Sequence, residues 1–270
     1  MQVAIVRVID GQRCELADVT AAEVPLELRL QGAPYAVIMR TPGADMALVA
    51  GFLLSERIVR GADDLATMEH CTDQTDVPGL QRGNIVSVVL DADAAVRAAG
   101  QLSRKRQVMA SSACGVCGRT TLESMLAGLA PLQAHARVPA AVVASLPARL
   151  RERQLLFDKT GGLHAAGIFS CEGGLIASAE DVGRHNAIDK VIGTMLLRDR
   201  LPLTASVLCV SGRTSYEIVQ KAWCAGIPVV ASVSAPSSLA VTLARDANIT
   251  LAGFVRDGSL NIYTGAERIV

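Results

Sequence analysis

Two cysteines three residues apart, in the run Ala113-Cys114-Gly115-Val116-Cys117-Gly118, are the side chains most suited to chemistry in this chain. Such a pair has three common uses: zinc ligation, cycling between dithiol and disulfide, and carrying sulfur as a persulfide. The thiolate is the reactive form in each. Gly115 and Gly118 let the loop take left-handed backbone and let a partner approach the main chain. Arg104, Lys105, Arg106 and Arg119 surround the pair in sequence and favour the thiolate over the thiol. A structural zinc site needs four ligands, usually two such pairs, and there is no second Cys-x-x-Cys; His70-Cys71 offers only adjacent residues. A thioredoxin-like motif belongs between a strand and a helix of a βαβ unit, whereas this one follows an irregular basic stretch.

Three expected strand-to-helix turns form a second group: Glu180 to Asn186 (EDVGRHN), Ser211 to Ser215 (SGRTS) and Ser234 to Ser238 (SAPSS). In a parallel sheet all three fall on the carboxyl edge, where ligands bind and helix N-termini attract anions. Arg184 and Arg213 add forked cationic donors there. Thr214 and Glu217 have capping-box spacing, which predicts a helix from Thr214. An anionic ligand is the expectation. His185, in the first of these turns, and His164, beside Gly161-Gly162, are candidate hydrogen-bonding or acid–base groups. Taken singly, each turn reads equally as an ordinary cap and each histidine as a structural one.

The elements that must position these groups are legible from periodicity. Strands are predicted at 26–30, 35–39, 84–90, 163–169, 175–179, 206–210, 228–233, 249–255 and 260–263, and helices at 45–58, 186–197, 214–225 and 238–246. Residues 91–113 read as less regular, with a short helix after Thr120 or Thr121. Pro131 and Pro139 bracket a stretch of little periodicity, where a boundary is placed: a smaller strand-rich domain at 1–136 and a layered α/β domain with a largely parallel core sheet at 137–270.

Composition limits the rest. Half of the 270 residues are hydrophobic, mostly aliphatic, with 3% aromatic, which suits buried strands covered by helices. The 26 basic and 26 acidic residues cancel, so nothing favours nucleic acid as a partner. No window reaches the length of a membrane span, and the start has no signal-peptide pattern. Seven cysteines, only two of them closely spaced, do not suggest a secreted disulfide framework. A soluble cytoplasmic protein is expected, with Cys14, Cys71, Cys171, Cys209 and Cys224 as small core residues.

These segments resemble, in order, the formate dehydrogenase accessory sulfurtransferases known as FdhD. The matching stretches are Gly51 to Glu56 (GFLLSE), Ser111 to Gly118, Thr160 to Ala166 (TGGLHAA), Glu180 to Lys190 (EDVGRHNAIDK), Ser211 to Glu217 (SGRTSYE), Ser234 to Ala240 and Gly253 to Gly258. The first 20 residues carry none of the likeness. The resemblance implies a cytidine deaminase-like main domain and a sulfur carrier. Sulfur would come as a persulfide from a cysteine desulfurase and go to the molybdenum or tungsten of a bis-molybdopterin guanine dinucleotide, as formate dehydrogenase requires. It also implies Cys114 as the persulfide-bearing residue and Cys117 as its assistant. The guanine-nucleotide end would lie against Phe254, Val255, Arg256, Asp257, Gly258 and Ser259. Arg184 and Arg213 would meet its phosphates, His185 is a further candidate contact to the cofactor, and two nucleotide ends suggest a homodimer. A zinc deaminase is excluded on three counts. His164 is followed by Ala165-Ala166 rather than x-Glu, Ala113 stands where Pro should precede the cysteine, and the cysteines precede the histidine. Other classes to weigh are a cofactor-delivering chaperone and a small zinc-stabilised interaction protein.

Overall fold

The computed structural model describes residues 1–71, 83–105, 130–133 and 135–270. The chain first doubles back on itself. Strands β1 (Gln2–Ile9) and β2 (Gln12–Val19) pair antiparallel as a separate two-stranded sheet. Asp10 and Gly11 join them with φ of 50° and 81°, the doubly positive backbone that Asp-Gly readily adopts in a tight hairpin. Cys14 lies exposed on this hairpin, so it is not the core residue expected, whereas Cys209 is buried and Cys71, Cys171 and Cys224 are half-buried.

A four-stranded sheet follows, in the order β4-β3-β6-β5. Strand β3 (Val24–Leu30) turns through Gln31-Gly32 into β4 (Ala33–Arg40). Strand β6 (Ile85–Leu90) lies parallel to β3, and β5 (Leu65–His70) antiparallel to β6. Alternation sets the faces: Leu26, Leu28 and Leu30 are buried, while Glu27 and Arg29 between them form an outward ion pair at 2.7 Å. The buried face packs on helix α1 (Asp45–Ser55).

The main sheet has six strands in the order β12-β11-β10-β9-β7-β8. Its parallel pairings are those of β10 (Val229–Ser232) with β9 (Ser206–Val210) on one side and β11 (Thr250–Arg256) on the other. Strands β7 (His164–Ser170), β8 (Leu175–Asp181) and β12 (Ser259–Thr264) pair antiparallel. The sheet is therefore mixed rather than largely parallel. The reason is loop length: four residues join β7 to β8, and Asp257-Gly258 alone joins β11 to β12, too few for a crossover.

Helices cover both faces. Helices α5 (Arg184–Leu197), α6 (Tyr216–Cys224) and α7 (Ser238–Asp246) take one. Helix α3 (Ala140–Arg151) takes the other, meeting Phe169, Val207, Cys209 and Val229 with Val143, Leu146 and Leu150. One apolar cluster runs from Leu28 and Val88 through Leu48 of α1 and Ile188 of α5 to Leu208 of β9. The layers are thus sheet, helices, sheet, helix, a mixed α/β fold. No helix among the described residues is long and apolar enough to cross a membrane.

Three helices lie where none was expected. Helix α2 (Ala92–Lys105) occupies part of the stretch read as irregular, and α3 and the short α4 (Leu155–Thr160) follow the predicted boundary. Helix α2 buries Ala94 and Ala98 one turn apart, and alanines of that kind register weakly as an apolar stripe. Helix α3 tolerates Pro147 in its second turn, a residue that argues against a helix when seen in sequence alone.

Candidate functional site

Strand direction gathers the polar loops. Strands β8, β9, β10 and β11 run the same way, so their carboxyl ends share one edge, and β7, running opposite, begins there with His164. The segments 180–186, 211–215 and 234–238 all lie on that edge.

The loop after β8 is anchored most heavily. Asp181 is fully buried, 2.7 Å from the Lys190 ammonium. Its carboxylate also accepts from the Gly183 amide at 2.8 Å, from Asn186 Nδ2 at 2.9 Å and from the Thr41 amide at 3.1 Å. Thr41 returns two links, its hydroxyl accepting from the Val182 amide at 3.1 Å and its carbonyl from Lys190 Nζ at 2.8 Å. Thr41 is itself steadied by Arg40, buried and bidentate on Asp45 at 2.8 and 2.9 Å. A buried charge is tolerated only with such complete pairing. The EDVGRHNAIDK segment thus ties the site's first loop to the corner between β4 and α1.

The next loops are stitched to one another. Ser211 exchanges bonds with Ala165, its hydroxyl accepting the Ala165 amide at 2.9 Å and its own amide donating to the Ala165 carbonyl at 3.0 Å. The Ser232 hydroxyl donates to the Gly212 carbonyl at 2.7 Å. Thr214 pairs with the segment around Pro236 through Thr214 N to Ala235 O at 3.2 Å and Ser237 N to Thr214 O at 2.9 Å. Phe254 N reaches Ser234 O at 3.2 Å and joins the end of β11 to the same rim.

Thr214 is therefore in a strand-like bridge, not at a helix start. Helix α6 begins at Tyr216 with Ser215 as its N-cap, and no side chain caps it. The predicted capping box does not form because Glu217 has a tertiary partner: its Oε2 lies 2.8 Å from Nε2 of His185. Ser215 Oγ lies 3.2 Å from the same nitrogen. Serine and carboxylate share one ring nitrogen, so the ring cannot relay a proton between them as a hydrolytic triad would.

Arg184 and His164 meet beside Gly212. A Cβ placed at Gly212 would stand 3.3 Å from His164 Nδ1 and 3.8 Å from Arg184 Cδ. Burial, and then the charges of Arg184 and His185, hold the His164 imidazole below its ordinary pKa. Among the described residues, the buried Arg184 Nε and Thr214 Oγ1 have no hydrogen-bond partner. Helix α5, like α6, has no side-chain cap, Gly183 being its N-cap. Unsatisfied donors beside two uncapped helix N-termini suit a ligand rich in acceptor oxygens.

The remaining expected residues are dispersed. Arg213 is exposed on the same rim. Phe254 has φ of 51° within a register shift of β11, a bulge that turns its ring to within 5.8 Å of the Arg256 guanidinium. The Val255 side chain is buried in the cluster under α3. Asp257 and Gly258 form the hairpin tip, and Arg256 to Ser259 are exposed. Cys114 and Cys117 lie outside the described residues, as does the helix expected after Thr120. Sequence reasoning gave Glu217 only a capping role and gave Asp181 and Lys190 none. Lys190 lies nine positions after Asp181, and helix spacing alone does not pair them.

Comparison with known proteins agrees with this geometry. A family model described as the FdhD/NarQ family matches residues 21–270, leaving out the N-terminal hairpin. A protein named sulfur carrier protein FdhD from Streptomyces coelicolor is 45% identical over 98% of this chain and 94% of its own length. Its namesake from Mycobacterium tuberculosis is 47% identical over 92% and 91%. Among solved structures, a protein named as a formate dehydrogenase accessory protein from Desulfotalea psychrophila superposes with a TM-score of 0.78 at 26% identity, over 100% of this chain and 99% of that one. A match across all but the first strands, with relatives of this similarity over nearly full length, places the chain in the FdhD/NarQ family.

Proposed function

We propose that the protein accepts sulfur from a cysteine desulfurase as a persulfide on Cys114 and passes it to the metal of a bis-molybdopterin guanine dinucleotide for formate dehydrogenase. The names of its relatives support sulfur carriage. One structural observation carries the cofactor half: among the described residues, the buried Arg184 Nε and Thr214 Oγ1 have no partner, and they lie beside the starts of α5 and α6, which no described side chain caps. Phosphate oxygens are the acceptors that such a rim would take, with exposed Arg213 as a further cation. The guanine end would lie toward Phe254 and the hairpin Arg256 to Ser259. The cofactor is cargo here, and the metal is molybdenum or tungsten.

In the first step the Cys114 thiolate attacks the outer sulfur of the donor's persulfide. The donor's S–S bond breaks, its cysteine leaves as thiolate, and Cys114 carries the new persulfide. The outer sulfur then departs toward the metal as sulfide. The two electrons that this takes come from Cys117, whose thiol attacks the inner sulfur and closes a Cys114–Cys117 disulfide, later reduced by cellular thiols. Two nucleotide ends call for two such rims, hence a homodimer working in the cytoplasm.

The test is to incubate the purified protein with an active cysteine desulfurase and cysteine, and to map added sulfur by peptide mass spectrometry. One sulfur atom on the peptide containing Cys114, absent in Cys114→Ala, is expected. Cys114→Ala should still bind the cofactor while failing to activate formate dehydrogenase. Retention of activation by Cys114→Ala would overturn sulfur carriage in favour of cofactor delivery alone.

A further inference from the structure

His185 is gripped by groups of another element. Glu217 Oε2 at 2.8 Å and Ser215 Oγ at 3.2 Å both face its Nε2, and both belong to the start of α6 rather than to the histidine's own α5. An ionised carboxylate only accepts, so the nitrogen facing it carries the proton. In a neutral ring the other nitrogen, Nδ1, is then a bare acceptor. Among the described residues Nδ1 has no hydrogen-bond partner. A phosphate oxygen is also an acceptor and cannot bond a bare lone pair. With Glu217 on one side and a phosphate on the other, the ring satisfies both only by donating from both nitrogens, as imidazolium.

We propose that Glu217 is a positioning residue that claims the Nε2 proton of His185 and so couples phosphate binding at this rim to the uptake of one proton. The inference rests on the reading that the rim takes nucleotide phosphates. Among the described residues, the charged or titratable groups near the ring include Glu217 from α6, Asp189 one turn along α5 and His164 from the start of β7, with Arg184 preceding it in the chain. Asp189 is committed to Lys221 at 2.6 Å and therefore does not compete for the ring proton.

Glu217→Gln separates this proposal from a merely structural contact. The Gln side chain can turn its amide toward Nε2 and donate, leaving Nδ1 protonated in a neutral ring that meets phosphate with no proton gained. The experiment is titration calorimetry with GDP at about pH 8, where a terminal phosphate with a second pKa near 6 is already ionised. Two buffers of different ionisation enthalpy report protons taken up. The wild type should gain on the order of one proton per GDP and bind it less tightly as pH rises. Glu217→Gln and His185→Gln should bind GDP with no uptake and with a flat pH profile. Wild-type binding without uptake, or full uptake in Glu217→Gln, would overturn the inference while leaving the nucleotide reading standing. Absence of wild-type GDP binding would overturn both. Should Glu217→Gln fail to fold, the His185 tautomer, read from ring-nitrogen shifts of the free wild-type protein, decides. Nε2–H is required, and Nδ1–H overturns the inference.

Discussion

Lys221 reaches from α6 to place its ammonium 2.6 and 2.8 Å from the two carboxylate oxygens of Asp189, which is buried on α5. Ser55 of α1 donates to the same carboxylate at 3.0 Å, so three helices meet at one charge. Burial pushes the Asp189 carboxyl up, while Lys221 and then Ser55 pull it down. Replacing Lys221 with Met removes the cation and leaves the carboxylate stranded, a change that typically costs about 3–5 kcal/mol. Denaturant unfolding of Lys221→Met should show a loss of that order. The double variant with Asp189→Leu should recover part of it; a double variant no better than the single one would argue against a stranded charge as the cause.

Gly51 and Gly193 let α1 and α5 touch backbone to backbone. A Cβ at Gly51 would collide with the Asp189 carbonyl, and one at Gly193 with the Ala47 carbonyl. Alanine in a helix interior normally gains up to about 1 kcal/mol over glycine. Here the obstacle is main chain, which cannot rotate aside, and overpacking of this kind costs about 1–3 kcal/mol. The clash should win: Gly51→Ala is expected to be destabilised by about 1–2 kcal/mol in urea unfolding, where propensity alone predicts the opposite sign.

His164 gives the site a pH signature. Its folded-state pKa lies below the ordinary 6.5 through burial and the neighbouring Arg184 and His185 charges. The folded state therefore binds the proton less readily than the unfolded chain. Stability from this group is present above pH 6.5 and is lost as pH falls through that value toward the depressed one. The urea midpoint should fall on acidification through this window, and less steeply in His164→Gln. Equal slopes in the two proteins would show that other groups carry the effect.

Thiol reactivity should follow burial. Cys209 is buried in β9, and burial pushes its thiol up to about 12, while Cys14 is exposed on the hairpin. A maleimide added to native protein should label Cys14 within minutes and leave Cys209 untouched until denaturant is present. Labelling of Cys209 at the native rate would mean that β9 opens easily.

Much of the fold was legible because it depends on local pattern. The alternation Leu26, Leu28, Leu30 marked β3, and Ser238–Asp246 emerged as a helix with both predicted ends. The N-terminal hairpin carries its own local signal, the Asp-Gly pair at 10–11. The alanine face of α2 and Pro147 within α3 were misleading, because small buried residues and an interior proline weaken the signals on which periodicity depends. The capping box at Thr214 had the right spacing and still failed, since the Thr214 amide is bonded to the Ala235 carbonyl, the helix starts two residues later and Glu217 lies against the His185 imidazole.

By itself the sequence determined the family, the order of strands and helices around the polar turns, and the residue types that the rim would present. Those follow from short-range spacing, which a chain carries without folding. Only the tertiary structure decided which of those residues meet. Asp181 finds Lys190 and Thr41, His185 finds Glu217, and His164 comes to lie against Gly212 and Arg184. Each pairing links different elements, and each depends on strand direction and helix packing that no local run of residues encodes.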